Sequence, residues 1–169
     1  WVQVVHFDTL IRRMFQFNFQ GSPPHLEKLP SRFRLTSVSE ETIIDTYDNH
    51  EPDKQRIAQQ FLKESIAQES AALSVQVLGE FFTVVTKKIK PPMSADNAGR
   101  IIATLRILPV EVVDYSLVKR AIDTHIRYSI HYWDALVVAA AERASCTTIA
   151  TEDLNPDQKY NGIAVFNPF

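Results

Sequence analysis

Three acidic residues, far apart in the chain, are the side chains best suited to chemistry: Glu80, Asp134 and Asp153. Asp153 lies just past the end of a short predicted strand, which is the usual position of a site in an open α/β sheet. If a parallel sheet gathers the three carboxylates at one edge, their mutual repulsion favours a bound cation. Oxygen ligands select Mg²⁺ or Mn²⁺, so the pattern predicts a divalent metal site.

The elements that position these acids can be read from the local sequence. Residues 132–144 are rich in Ala and Leu and contain no Gly or Pro, which predicts a buried helix that begins just before Asp134. Residues 147–151 are mostly β-branched and predict a brief strand that ends before Asp153. Ser74 is suited to cap a further helix, whose apolar stripe includes the position of Glu80.

Further along the chain, predicted strands alternate with predicted helices. This alternation predicts a mainly parallel central sheet between two helix layers, that is, a three-layer α/β/α sandwich. The other predicted strands lie at 71–74, 109–114 and 163–166, and the other predicted helices at 52–65, at 94–107 and from Ser116 to about 126.

Each of the three acids also has a simple structural interpretation. Asp134 is favoured at a helix start by the helix dipole alone, and Asp153 is a common turn residue. Glu80 can lie at the solvent edge of its helix, near Lys87 or Lys88. The residue types and their spacing leave these alternatives open.

Three segments carry a resemblance to a known family. They are Ser74-Val-Gln-Val-Leu-Gly-Glu80-Phe, Tyr132-Trp-Asp134-Ala-Leu and Thr151-Glu-Asp153-Leu-Asn, followed by a terminal Asn167-Pro-Phe169. Together they resemble the PIN-domain family, and in particular the VapC-type toxins, which are metal-dependent ribonucleases.

The resemblance implies roles for individual residues. Glu80, Asp134 and Asp153 match acidic metal-binding positions of the family, and Thr151 matches its small hydroxyl residue near the site. The implied cofactor is Mg²⁺ or Mn²⁺, and the implied substrate is RNA. An antitoxin protein, a homodimer and a cytoplasmic location are the further expectations.

One family motif is missing from its expected place. The family has a hydrophobic strand ending in Asp-Thr-Asn about nine residues before the position of Asp48, where this chain has Ser39-Glu40-Glu41. Residues 35–41 also read as a poor core strand. Phe7-Asp8-Thr9-Leu10 resembles the motif, but it lies about thirty residues before the expected position. An inserted segment and a disrupted reading frame both explain this pattern.

Charge and composition divide the chain into an unassigned basic and aromatic extension at 1–39, possibly disordered or non-native, and a PIN-like domain at 40–169. Residues 1–38 hold five Lys and Arg against two acidic residues, whereas the remainder holds 13 against 18. The net charge of −2 argues against non-specific coating of nucleic acid, yet it leaves a nuclease open because bound cations offset clustered carboxylates.

The sequence also bears on the cellular setting. No run of eighteen apolar residues occurs, so we expect no membrane association. Cys146 is the single cysteine, which excludes an internal disulfide and favours the cytosol. We expect Cys146 to be a small buried side chain.

Two functions follow as hypotheses. The first is a metal-dependent endoribonuclease that resembles toxins of type II toxin–antitoxin systems and hydrolyses RNA phosphodiester bonds. The second is a catalytically impaired PIN-like protein that acts only by binding a protein partner such as an antitoxin. The missing Asp-Thr-Asn motif is the feature that separates them.

Overall fold

The computed structural model describes residues 35–48 and 50–169, in which a six-stranded sheet is flanked by helices. The strands are β1 (Thr36–Val38), β2 (Ala71–Ser74), β3 (Val110–Glu111), β4 (Thr148–Ala150), β5 (Lys159–Tyr160) and β6 (Ile163–Phe166). Their order in the sheet is β3-β2-β1-β4-β6-β5. All neighbouring strands are parallel except β5 and β6, which confirms the predicted three-layer α/β/α class with a mainly parallel sheet.

Six helices connect or follow these strands in the described part of the chain. They are α1 (Glu40–Asp45), α2 (Pro52–Ala67), α3 (Val75–Lys87), α4 (Ala95–Leu105), α5 (Tyr115–Tyr128) and α6 (Tyr132–Arg143). The predicted helices recur with ends that differ by a few residues, and α1 is an additional short helix.

The strand β1 corrects the prediction that residues 35–41 do not form a core strand. Thr36–Val38 lies at the centre of the sheet and pairs in parallel with both β2 and β4. Val38 is fully buried and Ser37 is 5% exposed. The strand was missed because a small buried Ser interrupts the apolar pattern. The sheet therefore includes residues upstream of the predicted boundary at residue 40.

Local capping explains where several helices begin. The Ser74 hydroxyl accepts a hydrogen bond from the Val77 N–H at 3.2 Å, as the sequence predicted for α3. The sequence also predicted that α5 starts with Ser116 as its capping residue, and this prediction is wrong. The side chain of Asp114 occupies the cap and accepts a hydrogen bond from the Leu117 N–H at 2.8 Å, because the helix begins at Tyr115.

The helix α6 forms the centre of the molecule, as its composition predicted. Residues 135–141 are all buried, and the helix packs against α5 and against β1, β2, β4 and β6. One apolar cluster joins α5 and α6 and contains Leu117, Ala121, Leu136, Ala139 and Ala140. Asp134 is thus held at the start of a rigid, buried helix.

Two simpler expectations can be compared with the described residues. Cys146 is 6% exposed, and its burial raises the pKa of the thiol to about 12. It is therefore the buried side chain that the sequence predicted. In residues 35–48 and 50–169, none of the helices combines the length and apolar character needed to span a bilayer.

Candidate metal centre

Three parallel strands end at the same edge of the sheet, and this edge carries the candidate site. Val38 is in register with Ala150, so β1 and β4 end side by side. The residues that follow, Ser39 and Thr151, are both buried. Ser74 ends β2 beside them and caps the first turn of α3. Side chains that follow these strands are thereby gathered at one edge.

The predicted acids Glu80, Asp134 and Asp153 interact at this edge. Burial raises the pKa of Asp134, and the negative charges of Asp153 and Glu80 raise it further, whereas His131 lowers it. Glu80 and Asp134 are partly buried, and Asp153 is exposed. The three carboxylates therefore share one electrostatic environment, although they come from α3, α6 and the segment after β4.

Gln76 joins two of the elements that carry these acids. Its side-chain amide donates to the Glu80 carboxylate, with nitrogen–oxygen distances of 3.3 Å and 3.4 Å. The same amide nitrogen donates to the main-chain carbonyl of Trp133 at 3.3 Å. Gln76 thus ties the carboxylate on α3 to the first turn of α6, next to Asp134. The sequence analysis did not single out this residue.

Thr151 has a defined role in the shape of the site. Its hydroxyl accepts a hydrogen bond from the Asp153 N–H at 3.1 Å, and its own N–H donates to the carbonyl of Phe166 at 3.0 Å. The first bond fixes the turn after β4, and the second holds that turn to β6. Thr151 therefore orients the main chain of Asp153.

Two glutamates that the sequence analysis did not select also reach this edge. Glu40 and Glu41 form the first turn of α1, directly after Ser39. The carboxyl group of Glu40 shares a hydrogen bond with Glu80, and that of Glu41 shares one with Asp153. One feature of the sequence could have indicated them: Ser39-Glu40-Glu41 lies about nine residues before Asp48, where the family has its first acidic motif.

Burial and crowding disfavour the charged forms of both glutamates. Burial raises the pKa of Glu40 to about 9, with further contributions from the neighbouring Glu41 and from Glu80. Burial, followed by the hydrogen bond with Asp153, raises the pKa of Glu41 to about 7. The Glu41 oxygen Oε2 is buried and has no hydrogen-bond partner among the described residues. A hydrogen bond with Ser39 lowers the pKa of Glu41, in opposition to these effects.

The donor set suits a hard divalent cation. Every candidate ligand is a carboxylate oxygen, and such oxygens are what Mg²⁺ and Mn²⁺ prefer. Within residues 35–48 and 50–169, however, no three acidic, His or Cys side chains are already arranged as a metal-holding group. Glu40 instead lies against Glu80, and Glu41 against Asp153, where each acid raises the pKa of its neighbouring glutamate. The chemistry of the residues fits a metal, and side-chain rearrangement would accompany its binding.

Asp8, in the segment Phe7-Asp8-Thr9-Leu10 that resembles the missing motif, lies outside the described residues. Its contribution to the site remains a prediction, as does the character of the N-terminal extension.

The fold and this edge of carboxylates define a class of α/β proteins with an acidic site at the sheet edge. The model of the PIN domain family matches residues 42–161, and the chain belongs to that family. No curated protein sequence gives a significant match.

Two solved structures share this fold. One is the crystal structure of VapC20 from Mycobacterium tuberculosis, a toxin that cleaves the sarcin-ricin loop. It is 17% identical with a TM-score of 0.50, and the alignment covers 72% of this chain and 91% of that one. The other is VapBC2 from Rickettsia felis, bound to a DNA fragment from its promoter. It is 14% identical with a TM-score of 0.56, covering 79% of this chain and 98% of the other. The chain thus has the fold of VapC-type PIN toxins.

Proposed function

We propose that this chain is a metal-dependent endoribonuclease, with Glu80, Asp134 and Asp153 as metal ligands. The observation that supports the proposal is the shared electrostatic environment of these three acids at the carboxyl edge of a parallel sheet. Neutral Gln76 links Glu80 to the main-chain carbonyl of Trp133, beside Asp134, and burial together with the charges of Asp153 and Glu80 raises the pKa of Asp134. Like charges that lie close together favour the binding of a cation. The bound cation would in turn attract the anionic phosphodiester of a nucleic acid.

The chain's own residues hold and orient the reacting groups. A bound Mg²⁺ or Mn²⁺ would supply water activation and charge neutralisation at the scissile phosphate. Thr151 orients Asp153 through the main chain, and Ser74 fixes the start of the helix that carries Glu80. Gln76 keeps the Glu80 carboxylate beside the first turn of α6. Such neighbours around ligands commonly set metal affinity and ligand orientation.

The same proposal extends to partners and setting. VapBC2 is a complex that was crystallised with promoter DNA. By analogy of fold, we propose an antitoxin protein as the partner of this chain, RNA as its substrate, a homodimer as its assembly and the cytoplasm as its location.

A second function is favoured by one specific observation. Ser39, which is 2% exposed and has a hydroxyl in place of a carboxylate, directly follows the central strand, where the family motif would place an acid. A chain that lost this ligand would keep the fold and its surfaces but lose activity. The second candidate is therefore an impaired PIN-like protein that acts only by binding an antitoxin-like partner.

The test is RNA cleavage by the purified full-length chain with Mn²⁺, with Mg²⁺ and with excess EDTA. We expect cleavage that requires the metal and falls by about 100-fold or more in Asp134→Asn and Asp153→Asn, because each removes a ligand. Asp157→Asn is the matched control, since it makes the same change at an exposed residue of the same loop. Metal-independent cleavage, or equal activity of all three variants, would contradict the proposal. Absence of cleavage with retained partner binding would favour the second function.

A further inference from the structure

Trp133 lies in the first turn of α6, directly before Asp134, and it is 50% exposed. The residues that follow in the same helix, 135–141, are all buried. Because Trp covers a large apolar area and carries a polar N–H, it is enriched where proteins contact their ligands. The proposed function assigns a role to Asp134 and none to Trp133.

The position of Trp133 is fixed by two contacts. Its main-chain carbonyl accepts a hydrogen bond from the Gln76 side chain at 3.3 Å, and the same amide donates to the Glu80 carboxylate. Its ring lies edge-on to the ring of Tyr132, with 5.2 Å between the centroids and 67° between the planes. A side chain that is already ordered loses little conformational entropy when a ligand covers it. The exposed part of the ring can therefore accept a flat partner at small entropic cost.

A second exposed aromatic residue lies at the same sheet edge. Phe166, the last residue of β6, is in register with Ala150 of β4 and is 45% exposed. Its carbonyl accepts the hydrogen bond from the Thr151 N–H, two residues before Asp153. Exposed aromatic side chains are therefore present at this edge both on α6 and at the end of β6.

An aromatic ring beside carboxylates that attract a cation suits a nucleic acid strand. A bound cation attracts a phosphate, and adjacent Cα atoms are about 3.8 Å apart, so Trp133 and Asp134 contact neighbouring parts of one ligand. Every base has a flat face that can stack on an aromatic side chain. In a duplex these faces are covered by the adjacent base pairs, so the ring favours a base that is unpaired and unstacked.

We infer that Trp133 stacks on an unpaired base of the RNA, next to the phosphate at the proposed metal site. This inference rests on the proposed function, since it takes RNA as the ligand and Asp134 as a ligand of the metal. It adds a residue that determines specificity, because Trp133 selects single-stranded or looped RNA over duplex RNA.

The first experiment measures binding of a fluorescently labelled single-stranded RNA, and of a duplex of the same sequence, to the full-length chain in Ca²⁺. Ca²⁺ also binds carboxylate oxygens and replaces the Mn²⁺ used for cleavage. Trp133→Leu should weaken binding of the single strand about tenfold or more, because Leu is apolar but has no aromatic face. Trp133→Phe should recover most of the affinity. In the cleavage assay with Mn²⁺, Trp133→Leu should raise KM more than it lowers kcat.

Tyr115→Leu is the matched control for this change. Tyr115 is the first residue of α5 and is 78% exposed. Its neighbour Asp114 forms a salt bridge with Arg143 in the last turn of α6, at the opposite end of that helix from Trp133. The control variant should therefore bind and cleave RNA as the parent does.

Intrinsic fluorescence gives a direct signal of stacking. The chain has two tryptophans, Trp1 and Trp133, so Trp1→Phe leaves Trp133 as the sole tryptophan. Single-stranded RNA should quench the emission of this protein, and the duplex should quench it much less. A purely structural role of Trp133 would give no quenching by RNA. If Trp133→Leu fails to fold, the Trp1→Phe protein carries the test, because Trp133 is unchanged in it.

The outcomes distinguish the inference from the proposed function. If Trp133→Leu binds and cleaves RNA as the parent does while Asp134→Asn does not cleave, the inference is overturned and the proposed function stands. The exposed ring would then be available to another partner, such as a protein segment. If RNA binding depends on Trp133 but Mn²⁺ supports no cleavage, the inference stands and the ribonuclease activity is overturned. If the parent neither binds nor cleaves RNA, both are overturned. Equal quenching by single-stranded and duplex RNA would overturn the assigned selectivity.

Discussion

The carboxyl group of Glu41, in the first turn of α1, shares a hydrogen bond with that of Asp153, which follows β4. Such a bond requires that one of the two groups holds a proton. A divalent cation would remove that requirement, because it attracts both groups in their charged forms. This pair connects the unusual Ser39-Glu40-Glu41 segment to the proposed metal site.

Restoring the family motif should raise ribonuclease activity. The triple change Ser39→Asp, Glu40→Thr and Glu41→Asn places an acid at the end of the central strand. Catalysis demands accurate placement of the attacking water, so we expect an increase of more than about tenfold. The measurement is the initial rate of RNA cleavage with Mn²⁺, at equal amounts of folded protein. An unchanged or lower rate would contradict the expectation that the site lacks an acid after the central strand. Residues 36–38 must be kept in the variant, since they form β1.

Gln76→Ala should reduce Mn²⁺ affinity by about 10–100-fold, because the amide that orients Glu80 is lost. Calorimetric titration measures this directly. Gln60→Ala is the control, since Gln60 is exposed on α2 and its side chain donates a hydrogen bond to Glu64 of the same helix. Equal affinity of the Gln76 variant and the parent would remove Gln76 from the site.

Leu136→Ala should destabilise the fold by about 2–5 kcal/mol, because it leaves a cavity in the cluster between α5 and α6. Leu136 is 2% exposed. Val112→Ala, at a residue that is 62% exposed, should change the free energy of unfolding by less than about 0.5 kcal/mol. Urea denaturation gives both values. A cost below about 0.5 kcal/mol for Leu136→Ala would contradict the central position of α6.

Asp45 should make the fold less stable as pH rises. Burial raises its pKa to about 6; nearby Glu152, Asp48 and Glu51 add to this effect, whereas Lys54 opposes it. Below a pH of about 4, which is the pKa of Asp in the unfolded chain, the Asp45 carboxyl is protonated in both states and does not change the free energy of unfolding. Between about pH 4 and 6, Asp45 is ionised in the unfolded chain but still protonated in the folded one, so the free energy of unfolding falls as pH rises. Above the folded pKa the group is ionised in both states, and the loss of stability is complete.

Asp45→Asn should remove that pH dependence. The variant should gain stability over the parent between pH 4 and pH 7.5, by on the order of 1–2 kcal/mol after allowance for solvent screening. Urea denaturation of both proteins across this range provides the comparison, with Asp53→Asn as an exposed control on α2. A constant difference between variant and parent would mean that Asp45 is not the group that titrates.

The fold class could be predicted because its signals are local and repeated. Buried helices such as α6 and short apolar strands such as β4 carry their pattern in a few consecutive residues. The strand β1 could not be found in this way. Its pattern contains Ser37, and its conformation depends on hydrogen bonds from β2 and β4, which are distant in sequence.

The candidate site was predictable only in part, for a similar reason. Glu80, Asp134 and Asp153 lie within segments that resemble family motifs, so they could be selected one by one. Glu40 and Glu41 match no such motif, and their relevance appears only through contacts with Glu80 and Asp153. Gln76 was missed because its partners, Glu80 and the carbonyl of Trp133, lie on two helices.

The most direct test of the proposed metal centre is X-ray diffraction from crystals soaked in Mn²⁺, with data collected to locate manganese by its anomalous signal. We predict a peak at the edge where β1 and β4 end, with carboxylate oxygens of at least two of Glu80, Asp134 and Asp153 at about 2.0–2.3 Å from the ion. No peak at this edge, or a peak bound only by other residues, would contradict the account.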